Sequence, residues 1–419
     1  MKRYSLSLRL GGVCLALICS AAQAESLTLT LTQTLAAAER YSAELSANRN
    51  EARALDAMAD SARQLPDPKL KFGIENVPVQ GNNDRRLTRE GMTMQRIGVM
   101  QQYVSAEKRD RKADTLLAEA RSVEAKSHVV RAALQRDTAQ AWLELALSQR
   151  ALHTARQLVA ETARQQGAQR ASVGAGNALP DSVLAFQIGL SAMRDKVTLA
   201  ERDVQLAQTR LIQLTGQPIT AASGELPRYQ RLPADEKTLE EAIRQHPDIL
   251  AAASVANRAK ARSAESAIAA LPDVEVEVWY GRRAEGYEDM AGVMFTVDLP
   301  LFQSRRQDKD HAADVSRTMQ ANDQLALAGR EHLAGLHTLI AQYNAAQTLW
   351  QRQRDDVLPL LRSRAALLAA QYRAGQSDLP ALLEARRSVL DGELALNQAE
   401  KTMAQQWAAI RWLIPQEVM

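Results

Sequence analysis

"QLPDPKLKFGIENVPV" (Gln64–Val79) is out of keeping with the residues before it. Those are rich in Ala, Arg, Glu and Leu, a helix-forming composition, and Pro66 and Pro68 end that pattern. Leu70, Phe72 and Ile74 then alternate with Lys69, Lys71, Gly73 and Glu75, the period of a strand with one apolar and one polar face. The event recurs at "ALPDVEVEVWYG" (Ala270–Gly281), where Val274, Val276, Val278 and Tyr280 alternate with Glu275, Glu277 and Trp279. A partner strand follows each. Val293, Phe295, Val297 and Leu299 alternate with Met294, Thr296 and Asp298, while "MTMQRIGVMQQY" (Met92–Tyr103) alternates less cleanly. Strands are expected near 69–79, 92–104, 273–280 and 291–300. What a helical chain needs with such strands decides its fold.

The recurrence is part of a duplication. Val183, Leu190, Val197, Val204 and Leu211 are spaced by seven, as are Leu382, Val389, Leu396, Met403 and Ile410, and the two series are offset by 199 throughout. Phe186, Met193, Ala200, Ala207 and Leu214 complete a heptad seam. Earlier in each half, Thr34-Leu35 matches Thr238-Leu239 and Leu65-Pro66-Asp67 matches Leu271-Pro272-Asp273. The predicted unit is helix, strand, loop, strand, long helix, tight turn, helix. Repeat one covers about 25–220, with helices near 30–65, 109–173 and 181–215. Repeat two covers about 236–415, with helices near 236–270, 306–373 and 379–413. No proline interrupts Asp110–Val173, and a helix of that span, at 1.5 Å per residue, is about 95 Å long. Such a length implies a coiled coil or a tube.

The N-terminus has the layout of a secretory leader. Lys2, Arg3 and Arg9 precede an apolar run from Leu10 to Cys19, and Ala22-Gln23-Ala24 offers a small-x-small cleavage site. Residues 1–24 are read as the leader and 25–419 as the mature chain. Removing three bases from 52 Lys and Arg leaves 49 against 49 Asp and Glu, so the balance gives no support for nucleic-acid binding. Cys14 and Cys19 leave with the leader, which removes disulfides and thiolates from consideration. Val13 and Ile18 precede them rather than small residues, so no lipid anchor is expected. No later stretch is apolar for the roughly 18 residues of a membrane helix. Aromatic residues make up only 4% of the chain, a composition that suits Ala-rich helices in close contact.

Strands with one apolar and one polar face suit a barrel with lipid outside and water inside; a soluble sheet on a core gives the same alternation. The context favours the barrel. The strands come in pairs joined by the polar segments "QGNNDRRLTREG" (Gln80–Gly91) and "GRRAEGYED" (Gly281–Asp289), and no further strand is predicted to form a second sheet. Four strands cannot close a barrel, and an open edge in lipid leaves backbone groups unsatisfied. Three chains sharing one barrel supply twelve strands, with their long helices hanging below as a tube.

With these residues assembled, the chain resembles an outer membrane factor of the TolC family over essentially its whole mature length. The likeness rests on the duplicated strand and helix hairpins and on two matching tips, "QYRAGQSDLPALLEAR" from Gln371 and "VGAGNALPDSVLA" (Val173–Ala185). "LPDPKLKFGIENVPV" and "MTMQRIGVMQQY" look most like the branch serving heavy-metal efflux. The resemblance implies a mainly α fold with a small β part. It also implies a homotrimer whose 12-stranded barrel in the outer-membrane lipid continues into a periplasmic α-helical barrel. The implied partners are a periplasmic adaptor and an inner-membrane resistance-nodulation-division pump. The chain is then a passive exit duct, probed for heavy-metal cations first, with multidrug efflux or type I secretion as the alternative.

The resemblance also places a gate and docking end at the turns Gly174–Pro180 and Ala374–Pro380. Tyr372 and Gly375 match the family's Tyr and Gly, and Glu384 matches one of two acidic positions ringing the constriction; the other falls on Ala381. Asp181 matches an acidic residue that pairs with an Arg, but that Arg position is Ser377, leaving Arg373 as the substitute. Asp378 completes the polar set of the gate, and Gly174, Gly176, Gly375, Pro180 and Pro380 are the docking-tip residues.

No enzymatic constellation stands out. Of His128, His153, His246, His311, His332 and His337, only the last two are close, and a spacing of five takes them off one helical face. Polar positions facing the tube account for them, so neither a metal site nor a cofactor is assigned. Met92, Met94, Met100, Met290 and Met294 gather in or beside the strands. Thioethers suit Cu(I) or Ag(I), but flexible apolar filling explains them better, since a duct that holds its cargo does not pass it. An adaptor protein, or a coiled coil without a pore, are the non-channel alternatives. The first has one hairpin inside a β-rich domain, and the second leaves the strands without a purpose.

Overall fold

The computed structural model describes residues 27–87, 89–175, 181–284 and 286–413; the expected leader lies outside them. The first half runs β1 (Leu27–Leu29), α1 (Leu31–Tyr41), α2 (Ala43–Ala62), β2 (Lys69–Glu75), β3 (Met94–Tyr103), α3 (Ala106–Ala163), α4 (Gln166–Gly174) and α5 (Asp181–Thr215). The second runs β4 (Ile219–Ala222), α6 (Glu236–Ile243), α7 (Pro247–Ala267), β5 (Val274–Arg283), β6 (Met290–Val297), α8 (Gln307–Arg352), α9 (Leu358–Arg373) and α10 (Leu379–Arg411). The expected fold class holds: mainly helical, with the strand pairs and helical hairpins duplicated.

Four expected helices are interrupted, each for a local reason. Ser42 leaves the helical region and caps α2 by accepting the Leu45 N–H at 3.3 Å, splitting the helix predicted over 30–65. The same break falls 204 residues later, where His246 caps α7 ahead of Pro247. The helix predicted over 109–173 ends at Ala163. The N–H groups of Arg164 and Gln165 tighten onto Ala160 and Thr162, and α4 resumes beside Gly167, whose missing side chain makes it a weak helix former. In the second repeat a π-turn over Gln353–Val357 precedes Pro359; widening the helix there relieves the clash of the proline ring with the preceding turn.

The expectation of no further strands is overturned. β1 and β4 pair in parallel. The buried Trp142 of α3 donates its indole N–H to the Leu29 carbonyl at 2.9 Å, and Gln149 and Gln208 donate to the Thr220 carbonyl at 2.8 and 2.7 Å. Only three and four residues long, these strands carry too little alternation to be read ahead of the helices that satisfy their backbone.

The main sheet has the antiparallel order β2-β3-β5-β6. The helices attached to those strands pack in the same order, with α2 on α3, α3 on α7 and α7 on α8. One flank therefore ends in β2 and α2, and the other in β6 and α8. α3 also carries α5 and α10, which makes it the hub of the chain. The predicted seam is the core of the hairpins: Phe186, Leu190, Met193, Val204 and Leu211 on α5, and Leu382, Val389, Met403 and Ile410 on α10, are all buried.

Candidate functional site

The sheet separates two chemistries. Partners directly opposite in an antiparallel pair share a face. The register Leu70↔Val99↔Val278↔Val293 and Phe72↔Ile97↔Tyr280 therefore sets one apolar row beside another. Among the described residues nothing covers this face: Phe72 is 83% exposed and Phe295 68%. The opposite face carries a charge network. Glu277, nearly buried, accepts from Lys71 at 2.8 Å and from Arg96 at 2.8 Å, and Arg96 reaches Glu75 at 2.9 Å. The Arg96 guanidinium lies 4.4 Å from the Trp279 ring centroid. That indole lies along the wall because its neighbours are glycines: a Cβ at Gly292 would meet it at 2.6 Å, and one at Gly281 at 3.2 Å. A wall that is apolar outside and charged inside, with its largest side chain laid flat, can separate lipid from a water-filled passage.

The strand methionines belong to the charged face. Met100 and Met294 stand opposite Glu277 on either side, Met94 opposite Glu75, and Met290 opposite Gly281. Met100 is buried there, which suits the flexible apolar filling expected of it. The second strand read as irregular for this reason: its methionines interrupt the polar phase of the alternation.

At the far end of the hairpins the predicted tip residues separate. Phe186, Leu190, Leu379 and Leu383 form a small core that Tyr372 packs against. Gly375 adopts φ +71°, and the chain reverses there as the Gln376 N–H bonds to the Gln371 carbonyl at 2.8 Å, a helix-ending turn suited to glycine. Asp378 caps α10 by accepting the Ala381 N–H at 3.0 Å, and Pro380 lies in its first turn. Glu384 is exposed and 3.4 Å from Arg387. The substitute pair is not formed: Arg373 donates to the Ala369 carbonyl at 3.2 Å and has no ion pair with Asp181, which sits in the first turn of α5. Gly174 is helical, and Gly176 and Pro180 lie outside the described residues.

Sequence spacing missed what long-range packing brings together. His246 is buried rather than facing the tube, and it stacks on His332 with ring centroids 4.1 Å apart and planes at 28°. Both rings stand 3.4 Å from the Asp248 carboxylate. Burial, with His332 adding to it, pushes the His246 pKa down to about 4. Its Nδ1 already accepts the Asp248 N–H at 3.2 Å. The ligand atoms of His246, Asp248 and His332 lie within 4.8 Å of one another, close enough to hold a metal ion, and the cluster also fastens α7 to α8. His337 is bracketed by Glu236 and Glu240, each 3.5 Å from a different ring nitrogen, a second set whose ligand atoms lie within 4.8 Å of one another and which ties α6 to α8.

A second missed feature is a polar strap at mid-height. Tyr229, in the link between repeats, donates to Glu400 at 2.6 Å, and Glu400 also pairs with Arg150 of α3. Tyr343 of α8 donates to the Tyr229 carbonyl at 2.9 Å. Burial and the Glu400 carboxylate hold the Tyr229 pKa far above its ordinary value. Tyrosine and glutamate 171 residues apart leave no local pattern.

No family profile and no curated protein sequence matches the chain. Solved structures do. CusC, studied for conformational changes accompanying folding and transmembrane channel formation, superposes with a TM-score of 0.73 at 14% identity, covering 93% of each chain. The outer membrane protein VceC of Vibrio cholerae gives 0.70 at 18% identity, over 91% of this chain and 95% of the other. The open state of the MtrE outer membrane channel of Neisseria gonorrhoeae gives 0.70 at 15% identity, over 95% and 94%. Identities this low establish the fold: the chain has the whole architecture of these proteins.

Proposed function

We propose that the chain is the outer-membrane channel-tunnel of a tripartite efflux system, a passive duct for substrates that an inner-membrane resistance-nodulation-division pump delivers through a periplasmic adaptor. One observation carries this reading: a four-stranded sheet with an uncovered apolar face, a charged opposite face and two unpaired edges, β2 and β6. Repetition of the chain about a threefold axis removes both edges, giving twelve strands in lipid and a ring of helices in the periplasm. The three similar proteins are a transmembrane channel former, an outer membrane protein and an outer membrane channel, which supports the same reading.

The proposed cargo is heavy-metal cations, supported by the character of the strand segments. The hairpin turns are the proposed gate and docking end. Tyr372 holds that end shut with its hydroxyl as well as its ring, and Glu384, repeated by symmetry in a narrow throat, favours cations. The expected result in planar bilayers is a conducting pore in which Glu384→Ala lowers cation preference and Tyr372→Phe raises resting conductance. If only changes within Gln80–Gly91 alter conductance, the constriction is at the opposite end. Deletion of the gene is expected to sensitise cells to transition-metal cations; sensitivity to dyes and detergents with unchanged metal tolerance reassigns the cargo.

A further inference from the structure

The apolar row on the sheet does not stop with the strands. Val293, Phe295 and Val297 of β6 are followed in phase by Leu299 and Leu301, then Phe302, and these three are 68%, 78% and 71% exposed. Solvent-facing loops seldom present three large apolar side chains in four residues. The segment is also held in shape. The Leu301 N–H bonds to the Leu299 carbonyl at 2.9 Å, the Arg305 N–H to the Phe302 carbonyl at 3.0 Å, and the Arg306 N–H to the Gln303 carbonyl at 3.2 Å. The cations then arrive: Arg305, Arg306 and Lys309 are all exposed. None is within 4.0 Å of a carboxylate among the described residues, although Asp308 and Asp310 share the turn. At the matching end of β3, the amphipathic Tyr103 is 54% exposed on the apolar face.

Apolar side chains, then an amphipathic ring, then unpaired cations is the order in which a bilayer passes from acyl chains through its interface to phosphate. We propose that the turn 299–309 is a lipid anchor at the periplasm-facing leaflet: Leu299, Leu301 and Phe302 enter the acyl region, and Arg305, Arg306 and Lys309 take anionic phospholipid headgroups. The proposal rests on the channel reading and adds to it a specified lipid contact below the barrel. Continuity with the apolar sheet face and charge complementarity select lipid as the occupant.

The test places a nitroxide on Phe302→Cys, and separately on Phe295→Cys, in the processed trimer reconstituted into nanodiscs of phosphatidylcholine with phosphatidylglycerol. Both labels are expected to be reached by oxygen and shielded from an aqueous nickel chelate. If position 302 is open to the chelate, or immobile and closed to both because a neighbouring copy covers it, while 295 stays lipid-accessible, the anchor is refuted and the channel reading survives. If 295 is also open to the chelate, both fail. The headgroup contact is tested by replacing Arg305, Arg306 and Lys309 with Gln. Retention of phosphatidylglycerol over phosphatidylcholine in native mass spectra should fall roughly fivefold for each charge removed. Unchanged selectivity refutes the headgroup part.

Discussion

α3 and α8 occupy the same place in the two repeats and have opposite surroundings. α3 is packed on both sides, with Trp142, Leu143, Leu145 and Leu147 fully enclosed. α8 is packed on α7 and α10, and its other side leaves Met319, Leu327 and Leu349 exposed; Leu360 and Leu367 continue the exposure along α9. α5, in the other hairpin, exposes Ile188, Leu199 and Leu206. Duplicated sequence thus yields one satisfied helix and one unsatisfied one. The hydrophobic effect penalises that difference in an isolated chain, and the proposed cyclic repetition would remove it by giving each second-repeat flank a first-repeat neighbour.

The strongest way to break this comparison is to charge the uncovered flank. Leu360→Glu with Leu367→Glu should destabilise the contact between copies by at least about 3 kcal/mol, because an unpaired charge has to be desolvated. Sedimentation in detergent should show loss of the three-chain particle, with the released chains unfolding or aggregating rather than persisting as folded monomers. A variant that still assembles shows that α9 faces water. In the hub the same logic predicts a loss inside the chain. Trp142→Ala should destabilise by about 3–5 kcal/mol and release the Leu29 carbonyl, whereas Leu349→Ala, on the exposed side of α8, should change stability far less, by about 0.5 kcal/mol. Thermal unfolding in detergent measures both.

The strap joining the repeats comes next. Tyr229→Phe removes the donor to Glu400 and should cost about 1–3 kcal/mol, as for a buried hydrogen bond to a charged acceptor. The sign of its pH dependence follows from the raised pKa. Above about pH 10 the unfolded chain loses the phenol proton while the folded chain keeps it, so stability falls as pH rises. Below that the contribution is complete. The Phe variant should lack this alkaline slope; an identical slope in both proteins traces it to another group.

The smallest effects separate the two tips. Gly375→Ala places a side chain at φ +71° and should destabilise by about 1 kcal/mol. Gly174→Ala falls on helical backbone with nothing within 4 Å and should stabilise by about 0.5 kcal/mol. Equal signs would mean that the two turns are built alike.

These contrasts mark how far the sequence could be read. The heptads on α5 and α10 and the alternation in β2, β5 and β6 were legible because one buried or lipid-facing stripe repeats at a fixed period. Interruption of the helices at Ser42 and His246 was not, since a cap residue inside an alanine-rich run resembles any polar surface position. The Tyr229–Glu400 strap and the His246–His332 stack depend on partners brought together only when the repeats fold over each other. At the tip, Tyr372, Gly375 and Glu384 were found by likeness to a family. The physics of each residue there is an ordinary helix end, and within the chain the substitute Arg373 bonds to the Ala369 carbonyl rather than to Asp181.

The most direct measurement is the native mass of the protein extracted from membranes in mild detergent. Closure of the β2 and β6 edges and of the α8–α9 flank predicts three chains per particle, with no stable smaller species until the detergent denatures the sheet. A folded, stable single chain in lipid or detergent contradicts the account, because it would keep both sheet edges and the uncovered flank without a partner.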